Sequence, residues 1–516
     1  MFRRTSVIAA TTAGVLALAA CSSAGGTADP SPSADPSVTT TSAAHAPLLR
    51  LGMVDAPGEN GFVAANMRFA TQSPYGQAVY DTLVRSDEEG APVEGLATTW
   101  AWDVTGTILE LELREGVTFT DGTAFNADAA VQNLLRFRDG SAENASWLAG
   151  VTEVVALDAR RVQITLAEPD QALLTHLSKS AGYMESPASF DDPAPVGTGP
   201  YILDEARSID DASYVFTANP EYWDPASQHY DEIIMSVYEE PDAMQSALLR
   251  SELDAALYTG YSGFDQIEAA GYASHEFTLD WTGLLLFDRN GAIAPELAST
   301  QVRQAINYAI DRDQMLETLL GGRGETTAQV FGPDTAGYAE ELDTTYIYSP
   351  TKARSLLADA GYPDGFTLTI PTVSFVPGAT FDLLAEQLGD VGITVEFVEE
   401  STQSYVGSLL SGQYAVASMQ IEQPASAWET YALEIAADSP WNVTHRSDEW
   451  IDELGEKIAT GDIAAAAALN KYVVNEAWFA PWYRNLQVFY TAPGTDVTLQ
   501  VGNAYPYLWN IGPSAS

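Results

Sequence analysis

Apolar and polar residues alternate in two stretches of the first half of this chain. In TILELELREGVTFTDG (residues 107–122), Leu109, Leu111 and Leu113 point one way and Glu110 and Glu112 the other. That is the period of a half-buried strand, closed by a turn at Asp121-Gly122. In ALDARRVQITL (residues 156–166) the same period returns at Val162, Ile164 and Leu166 after an Asp-containing turn. These segments predict an antiparallel region. Before them, LLRLGMV (residues 48–54) reads as a strand. YGQAVYDTLVR (residues 75–85) reads as a short amphipathic helix with Val79 and Leu83 on one face.

Further along the period becomes helical. STQVRQAINYAIDRDQMLETLLGG (residues 299–322) sets Val302, Ile306, Ala309, Ile310, Leu316, Leu319 and Leu320 on helical faces. Ser299 or Thr300 supplies the cap and Gly321-Gly322 the stop. In SPTKARSLLADAGYPDGFTLTI (residues 349–370), Ser349 is an N-cap, Pro350 opens the first turn, Ala353, Leu356, Leu357 and Ala360 face inward, and Gly361 ends the helix. Phe366, Leu368 and Ile370 then alternate in a strand, followed by a helix over about 380–391 and the strand ITVEFV. This strand, helix, strand unit makes the second half α/β. A chain of 516 residues exceeds what one core usually supports, so the pattern predicts at least two α/β lobes with an antiparallel insertion.

The extreme N-terminus differs in kind. Arg3 and Arg4 precede an apolar run that ends in LAAC (residues 18–21), and Cys21 is the only cysteine. This is the layout of a secretion signal over residues 1–20. LAAC resembles the lipobox of bacterial lipoproteins, in which the cysteine becomes the first mature residue and carries the lipid. Residues 21–46 are rich in Ser, Thr, Ala, Pro and Gly and read as a flexible tether. The formal net charge of −48 argues against nucleic acid or a polyanion as partner. It does not require a cationic ligand, because the acids are spread along the whole chain.

Catalytic chemistry is sparse. The five histidines, at 45, 176, 229, 275 and 445, are far apart, and no HExxH pair, phosphate loop or calcium loop is present. GYSG (residues 260–263) lacks the glycine spacing of a hydrolase elbow. No catalytic residue, metal or cofactor is expected. A pair of carboxylates meeting in a cleft would suffice for glycosidase chemistry, which keeps a surface glycoside hydrolase as one alternative.

Five segments occur in an order that carries a resemblance. YDTLV is followed by GLATTWAWDVTGTILELELREGVTFTDG, with Leu96, Ala97, Trp100, Leu113, Arg114, Gly116, Val117, Phe119, Asp121 and Gly122. PVGTGPYIL (residues 195–203) and NPEYWD (residues 219–224) come next, then the two helical segments of the second half. From about residue 48 to the C-terminus the chain resembles the family 5 solute-binding proteins of bacterial ABC importers, which include oligopeptide-, dipeptide- and nickel-binding members.

The resemblance implies a two-lobed periplasmic-binding-protein-like fold of type II with an extra antiparallel subdomain. Lobe 1 would comprise residues 47–80, 195–281 and 485–516, with 81–194 inserted, and lobe 2 residues 282–484. It also implies a monomeric, lipid-anchored receptor on the outer face of the cytoplasmic membrane. Such a receptor closes on a solute, most often a peptide, and passes it to a permease. A signalling receptor on the same scaffold is the other alternative.

By position in the family, ligand contacts fall on Tyr75, on Trp281, Thr282 and Gly283, and on a lobe 2 segment holding Glu422, Gln423 and Trp428. Trp281 and Trp428 suit a cleft wall, since an indole offers apolar area and one donor, and each suits a core position equally. Peptide-binding relatives carry an acid in the lobe 2 segment that pairs with the ligand's α-ammonium. Either Glu422 takes that role, one methylene longer, or the role is absent here. Gly197, Gly199 and Pro200 read as turn chemistry with positive φ, Tyr222 and Trp223 as packing, and Arg303 and Asp311 as helix pairing and capping.

Overall fold

The computed structural model describes residues 45–57, 61–140, 143–190, 192 and 194–514. The expected signal, Cys21 and the tether up to residue 44 lie outside the described residues. Among those described, no helix is long and apolar enough to cross a membrane.

The strand Ala46–Met53 is the spine of the first lobe. Leu49, Leu51 and Met53 are inaccessible, and between them Gly52 leaves room for Met244, Leu253 and Ala256. A strand covered on both faces is a continuous apolar run, and this one pairs in parallel with Tyr230–Val237 and Ala255–Tyr258. Ser213–Ala218 and Tyr201–Leu203 extend one side. On the other, the sheet continues from Ala255–Tyr258 into Phe479–Thr491, Ala273–Leu286 and Val416–Glu422, all antiparallel. Gly324–Thr326 adds a ninth strand on Phe479–Thr491.

Two of these strands, Ala273–Leu286 and Phe479–Thr491, are long enough to serve both lobes. Phe277 and Leu279 pack against the first-lobe core around Leu49, Leu51 and Phe489. From Trp281 onward the strand belongs to second-lobe cores that include Phe331, Val416 and Trp482. Its pairing slips between Thr278 and Trp281 and again between Thr282 and Gly283. Such irregularities bend and twist a strand, so the direction changes where the core changes. The expected two-lobed α/β architecture follows.

The alternating segments pair as the pattern predicts. Ala97–Trp102, Ile108–Leu113, Arg161–Leu166 and Val151–Ala156 form an antiparallel sheet in that order. Leu109 stands opposite Ile164 and Leu111 opposite Val162, and the shared apolar face packs with the helix Ala127–Arg138. In the second lobe, Phe366–Thr372 and Ile393–Glu399 are parallel strands joined through the helix Gly378–Gly389. Ser349 caps Pro350–Asp359 by accepting from the Lys352 amide.

Three readings change. The helix expected over 75–85 spans only Ser73–Val79, and Tyr80 is already extended. Val79 stays in the first core while Leu83 enters the insert's core, so the two do not share a face. Asp81 explains the break: it is buried and accepts hydrogen bonds from Tyr222 Oη (2.8 Å), Trp223 Nε1 (2.8 Å) and Arg85 Nη2 (3.2 Å). Arg85 in turn pairs with Asp224 at 2.9 Å and lies over the rings of Trp223 and Trp509. Tyr222 and Trp223 therefore hold a buried charge pair as well as pack. The helical stretch 299–322 is two helices, Thr300–Ala309 and Arg312–Leu320. Asp311 caps the second through the Gln314 amide, while Arg303 donates to the carbonyls of Leu297, Glu476 and Ala477.

The third change concerns Gly197 and Gly199, which do not have positive φ. Their need for glycine is close approach: a Cβ on either would overlap the carbonyl group of Val79. Because the obstacle is backbone, Gly197→Ala is expected to destabilise the protein by ~2–3 kcal/mol in urea unfolding, the range for overpacking a tight contact. Gly407→Ala, in a helix with open space around the site, is expected to be neutral or slightly stabilising.

Candidate functional site

The lobes face each other across a cleft built from short elements. On the first-lobe side, the helix Leu173–Leu177 buries Leu173 and Leu177 in the insert's core, which leaves His176 and Lys179 toward the second lobe. Just before it, Asp170 accepts from the Ala172 amide at 2.9 Å. On the second-lobe side, Val416–Glu422 ends at the cleft, and Ser426 caps the short helix Ala427–Thr430 by accepting from the Glu429 amide. A π-helical turn, Tyr431–Ile435, follows directly. Such turns are rare and recur at functional sites.

The cleft contains a chamber of about 490 Å³ whose walls include Trp147, Asp170, His176 and Lys179 from the first lobe and Trp428, Glu429 and Asp438 from the second. A second chamber of about 220 Å³ is bounded by Ser86, Glu89, Gly90 and Ala91, by Thr175 and Lys179, by Glu422, Pro424, Ala425, Ser426 and Glu429, and by Val501, Gly502 and Asn503. Lys179, Glu422, Pro424 and Glu429 are common to both.

Direct contact between the lobes is polar. Trp428 Nε1 donates to Asp170 Oδ1 at 3.0 Å. Lys179 Nζ stands 3.9 Å from Glu422 Oε1, and His176 Nε2 stands 3.8 Å from Glu429 Oε1. The His176 ring lies flat on Trp147, 5.0 Å between centroids, and burial reinforced by Lys179 pushes its pKa down to about 3. It is therefore neutral, and its approach to Glu429 is no ion pair. Burial also pushes Glu429 up to about 7; Lys179 opposes the shift, and Glu422 and Asp170 add to it. Burial alone would lower Lys179, but Glu422 and Glu429 outweigh it and hold the ammonium above its ordinary value. Asp280 lies directly opposite Glu422 in the strand pairing, and burial, opposed by Gln420, raises it to about 6. One lysine thus serves a group of acids, two of them facing each other across a ladder where like charges are unfavourable.

Of the residues expected at the site, the structure brings Glu422 and Trp428 to the cleft. Gln423 turns inward, its amide donating to the Val330 carbonyl at 2.9 Å. Tyr75 is sealed in the first-lobe core against Phe62 and Tyr214, its hydroxyl donating to the Asp55 carbonyl. Trp281 is wholly buried beside Phe479, and its Nε1 donates to Glu434 at 3.4 Å. Burial holds Glu434 well above the usual carboxyl range, and that pair belongs to the second-lobe interior. Thr282 lines a separate cavity of about 120 Å³ with Met419 and Tyr483, and Gly283 packs on the Ala480 carbonyl.

Sequence reasoning missed the first-lobe wall of Trp147, Asp170, His176 and Lys179, as well as Glu429 and Asn503. A signal was available for Lys179. It is one of four lysines and the only one before residue 352, set in a sequence with 71 acids.

Comparison with known proteins completes the picture. Residues 91–439 match the pattern of the bacterial extracellular solute-binding proteins, family 5. The glutathione-binding protein GsiB of Shigella dysenteriae serotype 1 is 27% identical over 88% of this chain and 97% of its own length. The GsiB of Escherichia coli strain K12 is 29% identical over 60% of this chain and 62% of its own. Among solved structures, HbpA2 of Haemophilus parasuis superposes with a TM-score of 0.80 at 20% identity, covering 91% of this chain and 100% of that one. DppA of Helicobacter pylori, in complex with the peptide STSA, gives 0.75 at 20% identity over 92% and 99%. A match across two thirds of the sequence, on a two-lobed fold with a charged cleft, places this chain in family 5 of the bacterial extracellular solute-binding proteins, which bind solutes for transport and are not enzymes.

Proposed function

We propose that this chain captures a short peptide between its lobes and delivers it to an ABC permease, held at the membrane by a lipid on Cys21. The observation that carries this reading is the charge arrangement of the cleft. The cross-lobe distances of 3.9 Å for Lys179–Glu422 and 3.8 Å for His176–Glu429 are too long for hydrogen bonds, so neither carboxylate is satisfied by its partner across the cleft. A zwitterionic solute replaces these loose contacts with charge-assisted hydrogen bonds to both lobes. Because such a ligand interacts best when the lobes are together, it shifts the hinge toward closure. The names of the relatives, a glutathione-binding protein and a peptide complex, agree with this cargo class.

Within this reading, lobe 1 comprises residues 47–80, 195–281 and 485–516 with 81–194 inserted, lobe 2 comprises 282–484, and the hinge lies where the two long strands change cores. The ligand's ammonium lies with Glu422 and Glu429, and Trp428 supplies apolar wall. The protein acts as a monomer.

Two outcomes test the proposal. Glu429 accepts an ammonium only when ionised, and it holds a proton below about pH 7. Affinity for a free-amine tripeptide, measured by calorimetry, is expected to fall about tenfold from pH 8 to pH 6, and Glu429→Gln should flatten the profile. The empty protein should respond in the opposite sense. A carboxyl raised in the folded state contributes stability that is full below its unfolded value and is lost as pH rises through about 7, so E429Q should narrow that trend in thermal melts. Equal affinity at both pH values in the native sequence would count against the ammonium site. For the anchor, the full chain expressed in a host that processes lipoproteins should partition into detergent phase and take up radiolabelled palmitate. Cys21→Ser should abolish both.

A further inference from the structure

The charged approaches across the cleft are long, but one contact there is a finished bond. Trp428 Nε1 donates to Asp170 Oδ1 at 3.0 Å, whereas Lys179–Glu422 and His176–Glu429 stop at 3.9 and 3.8 Å. Trp428 belongs to the second lobe and Asp170 to the insert, and neither is on a strand that the lobes share. Both partners are side chains of this protein, so the bond needs no cargo to form. Each half is positioned by its own lobe. Asp170 precedes the helix Leu173–Leu177, which is rooted in the insert's core, and its Oδ1 also accepts from the Ala172 amide at 2.9 Å. Trp428 lies in the helix that Ser426 caps, its ring tilted against Tyr431 with 5.5 Å between centroids. Tyr431 is seated in turn by Gly455, where a Cβ would overlap the tyrosine ring. Donor and acceptor are thus oriented before they meet, which reduces the ordering that closure would otherwise cost. Burial raises the Asp170 carboxyl, and the Ala172 amide and the Trp428 indole oppose that shift, so the bond favours an ionised acceptor. Hydrogen bonds to a charged acceptor are among the stronger ones.

We propose that Trp428 and Asp170 form a latch that holds the lobes together without cargo, so that the chain itself poises the hinge and cargo completes the closure. This rests on the two-lobed fold and not on the identity of the cargo. The opposing force lies in the same chamber. Glu422, Glu429 and Asp438 of the second lobe approach Asp170 as the cleft narrows, and Lys179 is the cation among them. Like charges brought together resist closure, and dissolved salt screens them. The latch offsets that repulsion. Its effect is the same for every solute, because a more populated closed form raises all affinities by one factor. Selection among solutes is left to the long pairs, which a ligand completes.

Single-molecule energy transfer reads the latch directly. The full chain carries Cys21→Ser, and dyes are placed through Glu153→Cys in the insert and Glu453→Cys in the second lobe, both exposed positions. Native mass spectrometry checks that the protein is free of cargo. The expected result is a closed population of about one-tenth or more without cargo, falling about tenfold in Trp428→Phe, which keeps a ring and removes the donor. Asp170→Ala should do the same, and the double variant should fall no further than either single one, since both remove a single interaction. Raising sodium chloride from about 50 to about 500 mM should enlarge the closed population. Should W428F fail to fold in thermal melts, D170A decides the matter. A cargo-free native protein with no closed population, or one that these substitutions leave unchanged, overturns the latch. Neither result touches the peptide reading, which is judged separately by whether added Ala-Ala-Ala shifts the native distribution toward closure.

Discussion

Two neighbouring antiparallel strands contribute to the cores of both lobes, and the site depends on how they are paired. Ala273–Leu286 and Phe479–Thr491 hold each other in register on either side of the slip at Thr278–Trp281. A continuous hydrogen-bonded ladder resists sliding, and the irregular step is where that ladder is locally disrupted. Such hinges concentrate large changes in a few residues and leave packed cores intact. Asp280 sits in that step and faces Glu422, so the irregular pairing is next to residues that carry charge. Thr282 adds a side-chain bond to Asn485 at 2.9 Å between the same two strands.

Burying charge is the second constraint, and this protein handles it in two ways. Within the lobes, charges are paired or saturated by carbonyls. Asp81 receives three donors, Arg484 pairs with Asp343 at 2.8 Å, and Arg312 is met by the carbonyls of Asn307, Thr327, Tyr346 and Pro481. Removing one partner from such a group strands the other in a low-dielectric interior. In the cleft the arrangement is loose: the pairs are long, and acids outnumber the single lysine. Close ion pairs and carbonyl contacts hold each lobe together internally, whereas the long pairs of the cleft lie where a ligand can complete them.

How much of this was legible in the sequence depends on the range of the interaction. Alternation at Leu109–Leu113 and Val162–Leu166 gave strand, face and pairing together, because one-sided burial imposes a period of two. Ser349, Gly361 and Gly321 marked helix ends through local backbone chemistry. The helix at 73–79 was read too long because its end is set by Asp81 and by the chain passing over Val79 from 120 residues away. Gly197 and Gly199 were read as turn glycines for the same reason, since only the fold reveals the neighbouring carbonyl. Of the site, Glu422 and Trp428 were found by position in a family pattern. Tyr75 and Trp281 were drawn in by the same pattern, yet both are sealed in cores. The first-lobe wall and Asn503 escaped because no local pattern distinguishes a helix turn facing solvent from one facing another lobe.

One feature of the cleft bears on when the protein can first hold cargo. Val501, Gly502 and Asn503 line the smaller chamber, and they follow every other element of the site in the chain. The Val501 amide is fixed by the Glu88 carbonyl at 3.1 Å, so this wall is laid against a hairpin more than 400 residues earlier. A chain that folds as it is made can assemble its insert and its second lobe long before that contact exists. The smaller chamber remains open on one side until residues 501–503 have emerged, long after its other walls have been made.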